Sequence, residues 1–233
     1  MKKNIIFALF VILIFSFSLR FYKITESPPS LNWDETAIAY NAYSILNTGK
    51  DEWGQSFPIH FKSYGEYKLP VQIYASIPGI AIFGLNDFGV RITPVVYGTL
   101  TVFAAYFLAL AFFGSIPIAL LTSFLLSLSP WHIQLTRGSF EASFACFWIV
   151  LGLNFLIRGF QKQKYWLLSA LFFAIAIYTY NSVRGFIPFF ALVVLIIYWR
   201  SFLKHYRIAL LAAIIFIGLL LPLVPFITSG DIK

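Results

Sequence analysis

The sequence predicts an all-α, polytopic membrane protein with about seven transmembrane helices. Of its 233 residues, 60% are hydrophobic and only 11% are charged, and the mean hydropathy is +0.82. Soluble domains are roughly a quarter charged. Two charge-free stretches, residues 92–136 and 208–230, also exceed the roughly 20 residues that cross a hydrocarbon core. The single cysteine, Cys146, excludes a disulfide within the chain and a cysteine-based metal site.

The first predicted span covers about residues 4–22, directly behind Met1, Lys2 and Lys3. This arrangement is typical of a signal peptide, but no small-residue cleavage motif follows it. Arg20, Phe21, Tyr22 and Lys23 come next instead. We therefore interpret the segment as a retained first helix.

A long first outer loop follows, at about residues 21–91, and residues 20–91 hold 13 of the 26 charges. Two prolines keep its start extended, and a helix is predicted from Thr36 to Asn47. Within that helix, apolar residues and one asparagine recur at helical spacing, namely Ile38, Asn41, Ala42, Ile45 and Leu46. This stripe predicts an amphipathic helix that lies in the membrane interface.

Six further spans are predicted in the rest of the chain. Residues 92–136 carry no Asp, Glu, Lys or Arg and are interrupted by Gly114-Ser115-Ile116-Pro117, which indicates two short spans joined by a tight turn. The six spans cover about residues 93–113, 116–130, 141–157, 165–182, 186–199 and 208–227. Residues 1–233 are thus interpreted as one transmembrane module.

The charges predict the orientation of these spans. A cytoplasmic N-terminus places eight basic residues and no acid inside, which is the positive-inside pattern. They are Lys2, Lys3, Arg158, Lys162, Lys164, Arg200, Lys204 and Arg207. The net charge of +8 is therefore interpreted as a topology signal, with no nucleic-acid partner. The outer side carries nine basic residues and all nine acids, so any acid chemistry is expected there.

Cysteine, histidine-cluster and P-loop chemistry are excluded, because the three histidines are scattered and no glycine-rich phosphate loop occurs. Acidic chemistry at the outer face remains, and its first candidates are Asp34 and Glu35, which would occupy the first turn of the loop helix. The helix dipole favours negative charge there, so a capping pair is an equally open interpretation.

Several motifs then follow one another along the chain. They are Pro29 with Asp34-Glu35; Tyr40 and Ala42; Gly49, Trp53-Gly54 and Pro58; Tyr67-Lys68-Leu69-Pro70; Phe83-Gly84-Leu85-Asn86 and Arg91; and Ser129-Pro130 through Arg137 and Glu141. Their order resembles the GT-C superfamily of integral-membrane glycosyltransferases. It is most similar to the branch of protein O-mannosyltransferases and aminoarabinose transferases, which use a polyprenyl-phosphate sugar. Members of this family usually continue well beyond this length, so the chain is expected to correspond to their N-terminal conserved module.

The resemblance implies a set of site residues. Asp34 would be the catalytic base, with Glu35 and Glu141 as further catalytic carboxylates, although Glu141 stands where the family commonly has Asp. The lipid phosphate and sugar would be bound by Lys68, Arg137, Arg184 and Tyr180.

Simpler alternatives stay open for several charged residues. Arg184 would merely snorkel at the outer end of the fifth span, and Arg137 would pair with Glu141 four residues on. Arg91 is interpreted as an anchor of the second span and His132 as an interfacial residue. A solvated loop surface is expected for Lys50, Asp51, Glu52 and Glu66.

The resemblance implies an inverting glycosyltransferase that moves a hexosyl or pentosyl group from a polyprenyl-phosphate-linked donor to an acceptor hydroxyl. The reaction would occur at the outer face of the cytoplasmic membrane. Expected partners are the donor lipid, membrane lipids and an acceptor that is a protein, a lipid or a glycan. No cofactor is predicted, and a divalent cation stays open. Two alternatives are a truncated, inactive lipid-binding or assembly module and, with less support, a transporter.

Overall fold

A computed structural model describes residues 3–228, and nearly all of its secondary structure is helical. The predicted fold class is confirmed. Expectations that involve residues 1–2 and 229–233, including the inner charge of Lys2, lie outside the described residues. The elements are α1 (Lys3–Phe21), α2 (Trp33–Thr48), β1 (Phe61–Ser63), β2 (Glu66–Lys68), α3 (Pro70–Phe83), α4 (Asp87–Phe113), α5 (Ile116–Leu128), α6 (Pro130–Leu135), α7 (Glu141–Gly159), α8 (Tyr165–Ile177), α9 (Asn181–Lys204), α10 (Tyr206–Leu220), a 3₁₀ turn (Leu221–Leu223) and α11 (Val224–Thr228).

Five stretches of the described chain are long and apolar enough to cross a membrane. These are α1, α4, α7, α9 and Tyr206–Phe226, whereas α3, α5 and α8 are shorter apolar helices. Two helices begin earlier than the predicted spans. α4 starts at Asp87 rather than at about 93, because the Asn86 side chain caps it by accepting a hydrogen bond from Gly89 N at 2.9 Å. α9 starts at Asn181 rather than at about 186. Arg91 and Arg184 therefore lie inside helices.

Each helix of the bundle packs on a neighbour, so that contacts run continuously from α1 to α10. α1 and α5 pack on α4, α4 packs on α7, α7 packs on α8, and α8 packs on both α9 and α10. Glycines allow the closest approaches: a Cβ at Gly98 of α4 would lie 2.6 Å from Thr136 Cβ. This arrangement brings the start of α7 and the segment before it against α4 and the outer loop.

The outer loop folds around its own small core. Its members come from α2, α3, the β1–β2 hairpin and the start of α4, and they include Ile38, Ala42, Ile45, Phe61 and Ile73. Four members of the predicted stripe, Ile38, Asn41, Ala42 and Ile45, are buried, whereas Leu46 is 42% exposed. The exposed side of α2 also carries aromatic residues at Trp33, Tyr40 and Tyr43.

Candidate active site

The position of Asp34 is set by the capping box of α2. The Asn32 side chain accepts a hydrogen bond from Glu35 N at 2.8 Å, and Glu35 Oε2 accepts one from Asn32 N at 3.0 Å. The expected capping role is thus found for Glu35. Because both bonds fix the first helical turn, they also fix the direction of the Asp34 side chain, which lines a cavity.

Glu35 also belongs to a buried ion pair. Arg91 and Glu35 are 0% and 1% exposed, and Arg91 Nε lies 3.2 Å from Glu35 Oε1. The guanidinium also donates to the carbonyls of Ile24, Pro28 and Ser30, and Ser139 N donates to Glu35 Oε1 at 3.0 Å. Arg91 therefore anchors α4, the predicted second span, to the start of the outer loop through buried contacts. Glu35 faces this network and does not line the cavity.

Lys68 is the cation next to Asp34. Its Nζ lies 2.7 Å from Asp34 Oδ1 and also contacts Glu66, and its side chain is only 7% exposed. The residue ends strand β2, immediately before Leu69 and the Pro70 that begins α3. Burial lowers the pKa of Lys68, but hydrogen bonds to Asp34 and Glu66 outweigh it and raise the pKa above its ordinary value. Lys68 therefore stays positively charged, and Glu66, which is half exposed as expected for loop surface, pairs with it.

A cavity of about 280 Å³ joins the predicted residues from distant parts of the chain. Glu141, the first residue of α7, directs Oε1 towards Leu69 N at 3.4 Å. The lining combines charged and polar side chains with apolar ones, namely Asp34, Ile38, Lys68, Leu135, Ser139, Phe140, Glu141, Ala142 and Tyr180. Of the seven residues predicted for the site, four therefore lie around one space: Asp34, Lys68, Glu141 and Tyr180.

The other predicted cations do not line this cavity. Arg137 donates to the carbonyls of Leu19, Lys23 and Ser27, so the expected pair with Glu141 is absent. Arg184 lies in the first turn of α9 rather than at the end of the preceding helix, with its guanidinium 5.6 Å from the ring centre of Phe226.

Arg184 has buried hydrogen-bond donors that no described residue accepts. Its Nε and Nη2 are buried and have no hydrogen-bond partner among the described residues. Along the same face of α9, Ile187 and Ala191 line an apolar groove of about 440 Å³ between α8, α9 and α10. The guanidinium of Arg184 therefore lies on the same face of α9 as this groove, whose lining contains no charged residue.

Two further acids of the outer loop have structural contacts; the expectation of a solvated surface was wrong for the buried Asp51, whereas Glu52 is exposed as expected. Asp51 is buried and its Oδ1 accepts hydrogen bonds from Trp53 N and Gln55 N. Glu52 interacts with Asn41 of α2 at 3.0 Å. Within residues 3–228, no group of three His, Cys, Asp or Glu side chains is arranged to hold a metal ion.

Sequence reasoning also missed a buried polar cluster at the end of α1. Arg20 is fully buried and donates to Thr136, Ser16 and His132, with 2.7 Å between Nη2 and His132 Nδ1. His132 is 2% exposed rather than interfacial as expected. Burial and the charge of Arg20 lower the pKa of His132 to about 4, so the ring is neutral and Nδ1 accepts the hydrogen bond. Arg20 and His132 each lie among mostly apolar sequence neighbours, so the sequence does not indicate that their side chains are in contact.

The fold and the cavity together define the class of protein. The chain is a module of the GT-C glycosyltransferases, which are polytopic membrane enzymes. The family is shown by its sequence model: residues 70–226 match the family described as dolichyl-phosphate-mannose-protein mannosyltransferase, and the chain belongs to it. The matched range contains Glu141, Tyr180 and Arg184 but not Asp34 or Lys68.

Solved structures share this fold. ArnT from Cupriavidus metallidurans, bound to undecaprenyl phosphate, matches with a TM-score of 0.68 and 17% identity over 98% of this chain and 42% of ArnT. The oligosaccharyltransferase AglB from Archaeoglobus fulgidus, in complex with an inhibitory peptide and a dolichol-phosphate, matches with a TM-score of 0.70 and 15% identity over 94% of this chain and 28% of AglB. The chain thus spans less than half the length of either protein. A search of curated protein sequences finds no match.

Proposed function

We propose that this module transfers a sugar from a polyprenyl-phosphate donor to an acceptor hydroxyl with inversion at the anomeric carbon. The observation that carries the proposal is the Asp34–Lys68 pair, at 2.7 Å, in a cavity that Glu141 and Tyr180 also line. The family of the chain supports the reaction class, and the lipid phosphates bound in ArnT and AglB support the donor class.

Asp34 acts as the general base. The acceptor hydroxyl must lose a proton as its oxygen attacks the anomeric carbon, and the proton moves to the carboxylate; such catalysis contributes typically 10²- to 10⁴-fold. A single displacement opposite the leaving phosphate inverts the anomeric centre. With a third of its side chain exposed, Asp34 is accessible to an acceptor, whereas Glu35 is 1% exposed. We therefore assign Glu35 to positioning the first turn of α2.

Positive charge stabilises the departing lipid phosphate. Lys68 borders the cavity, and Arg184 provides buried N–H groups without a partner among the described residues. The apolar groove along α9 would hold the polyprenyl chain. Glu141 and Tyr180 would bind sugar hydroxyls, and Arg137, committed to three carbonyls, would hold the loop in place rather than bind phosphate.

The site is proposed to face the outside of the cytoplasmic membrane. The described basic residues at the far ends of α7, α9 and α10 have no acid near them in the sequence, which supports a cytoplasmic location for that end by the positive-inside rule. Every described carboxylate lies in the outer loop, in the first turn of α4 or at the start of α7.

The test is sugar transfer in membranes that contain the full chain and a polyprenyl-phosphate sugar. We expect Asp34→Asn to lower turnover by at least roughly 100-fold, since it removes the base. Glu26→Gln is the matched control, because Glu26 belongs to the same loop but is exposed and pairs only with Lys23. Unchanged turnover in Asp34→Asn would remove Asp34 from the mechanism.

One observation also favours a lipid-binding module without activity of its own: Arg184 and the apolar groove would bind a polyprenyl phosphate whether or not transfer follows. Binding of undecaprenyl phosphate to the purified chain separates the two functions. Binding that requires Arg184, without transfer of any offered sugar, would favour the inactive module. Transfer that requires Asp34 would favour the enzyme.

A further inference from the structure

A second polar cavity lies at the end of the helix bundle opposite Asp34. It has a volume of about 340 Å³ and lies between the α4–α5 turn and the α7–α8 turn. α7 begins at the candidate active site with Glu141 and ends at Gly159, so its 19 residues span about 28 Å at 1.5 Å per residue. This length is close to the roughly 30 Å of a hydrocarbon core. The second cavity therefore lies at the level of the opposite lipid headgroups.

Two cations line this cavity without an acidic partner. Arg158 and Lys162 form no ion pair among the described residues. Between Asp87 and Asp231, the sequence contains a single acid, Glu141, which lies at the other end of α7. No described protein carboxylate therefore neutralises these charges.

The side chain of Arg158 is held so that it bridges two helices. Its Nε donates to Asn154 on α7 at 3.0 Å, and its guanidinium carbon lies 5.7 Å from the ring centre of Phe107 on α4. The two terminal nitrogens make no hydrogen bond with described residues and remain available at the cavity. Gln161 and Tyr165 add side chains with neutral hydrogen-bond donor groups to the same lining.

A favourable interaction with the dipole of α7 accounts for a basic residue in its last turn. The dipole interaction does not require a cavity. It therefore does not explain why two cations and two neutral donors surround the same cavity. The wall formed by Leu110 and Ala111 of α4 is apolar. A ligand with an anionic head and an apolar body would match the cationic side and the apolar wall of this cavity.

We propose that the second cavity binds the phosphate headgroup of an acidic membrane lipid, with its acyl chains alongside α4. The charges of Arg158 and Lys162 and the donors of Gln161 and Tyr165 hold the phosphate. The negative surface of a cytoplasmic leaflet supplies such lipids. This site is separate from the candidate active site, from which it lies the length of α7 away. It does not depend on the proposed sugar transfer, but it rests on the proposed cytoplasmic location of this end.

The test is native mass spectrometry of the purified full chain with phosphatidylglycerol and, separately, phosphatidylcholine. We expect a retained phosphatidylglycerol and a roughly thirty-fold weaker affinity in Arg158→Gln/Lys162→Gln. This value follows because two charges at a membrane surface contribute roughly 1 kcal/mol each and about 1.4 kcal/mol is tenfold. Arg200→Gln/Lys204→Gln is the matched control, since it removes two charges from the same end, in α9, outside the cavity lining.

A third variant, Ala111→Trp, fills the cavity and keeps every charge, so it tests the site even if the double variant does not fold. Loss of phosphatidylglycerol in this variant, with retention in the control, supports the proposal. Equal loss in both double variants would mean general surface attraction and would overturn it. Equally tight phosphatidylcholine binding would overturn it too, as would tighter binding of free glycerol 3-phosphate, which would identify a soluble phosphate as the ligand.

Discussion

Replacing Glu35 by Gln should destabilise the protein strongly although it changes only one atom. In Glu35→Gln, the buried guanidinium of Arg91 loses the carboxylate that lies 3.2 Å away. Removing one partner of a buried ion pair costs roughly 3–5 kcal/mol, since the other charge stays buried without compensation. Both oxygens of Glu35 accept hydrogen bonds, Oε1 from Ser139 N and Oε2 from Asn32 N, so the Gln amide nitrogen faces a donor in either orientation.

The assay is thermal unfolding of the purified chain in one detergent, compared with Glu26→Gln. Glu26 pairs with Lys23 at 2.8 Å, but both side chains are more than half exposed, so that change should cost within about 1 kcal/mol. A double variant, Glu35→Gln/Arg91→Met, should recover part of the loss because the unpaired charge is gone. If the double variant were as unstable as the sum of the two single variants, or if Glu35→Gln matched Glu26→Gln, the reasoning would be refuted.

Two further predictions concern the cluster near α6. Because the pKa of His132 is lowered to about 4 in the folded chain, the unfolded chain takes up its proton first as the pH falls below 6.5. The contribution of His132 to stability should therefore drop by about 3 kcal/mol between pH 6.5 and pH 4; the difference in unfolding temperature between the unaltered chain and His132→Gln across that range measures it, and an equal change in both would contradict the assignment. Gly98→Ala should cost roughly 1–3 kcal/mol, since its Cβ would lie 2.6 Å from Thr136 Cβ. Gly218→Ala, where a Cβ meets nothing within 4 Å, should cost nothing, and equal unfolding temperatures for the two variants would show that α4 does not pack this closely.

Parts of the candidate site could be predicted because their signals are local. Asp34 follows a helix-start pattern, and Lys68 precedes the proline that begins α3. A capping box lies within four residues, so sequence spacing is enough to identify it. The placement of Glu141 at a helix start could be predicted for the same reason, since a charge-free stretch directly follows it.

Other contacts could not be predicted, because their partners are far apart in sequence. Arg91 and Glu35 are 56 residues apart, and Arg20 and His132 are 112 apart. The residues next to each of these side chains in the sequence are compatible with a simpler role, such as that of an interfacial residue for His132. A buried charge can be identified only when the groups that compensate it are seen together.

The sequence by itself determined that the chain is a helical membrane protein with its acids concentrated at one end, because hydropathy and charge follow from composition and order alone. The tertiary structure alone decided which of those acids faces the cavity. Asp34 and Glu35 are neighbouring carboxylates in the first turn of one helix, and the capping-box spacing that selects Glu35 does not say which of the two faces a cavity. Packing of α4 against the outer loop buries Glu35 on Arg91 and leaves Asp34 beside Lys68, because a buried guanidinium needs the nearest available carboxylate.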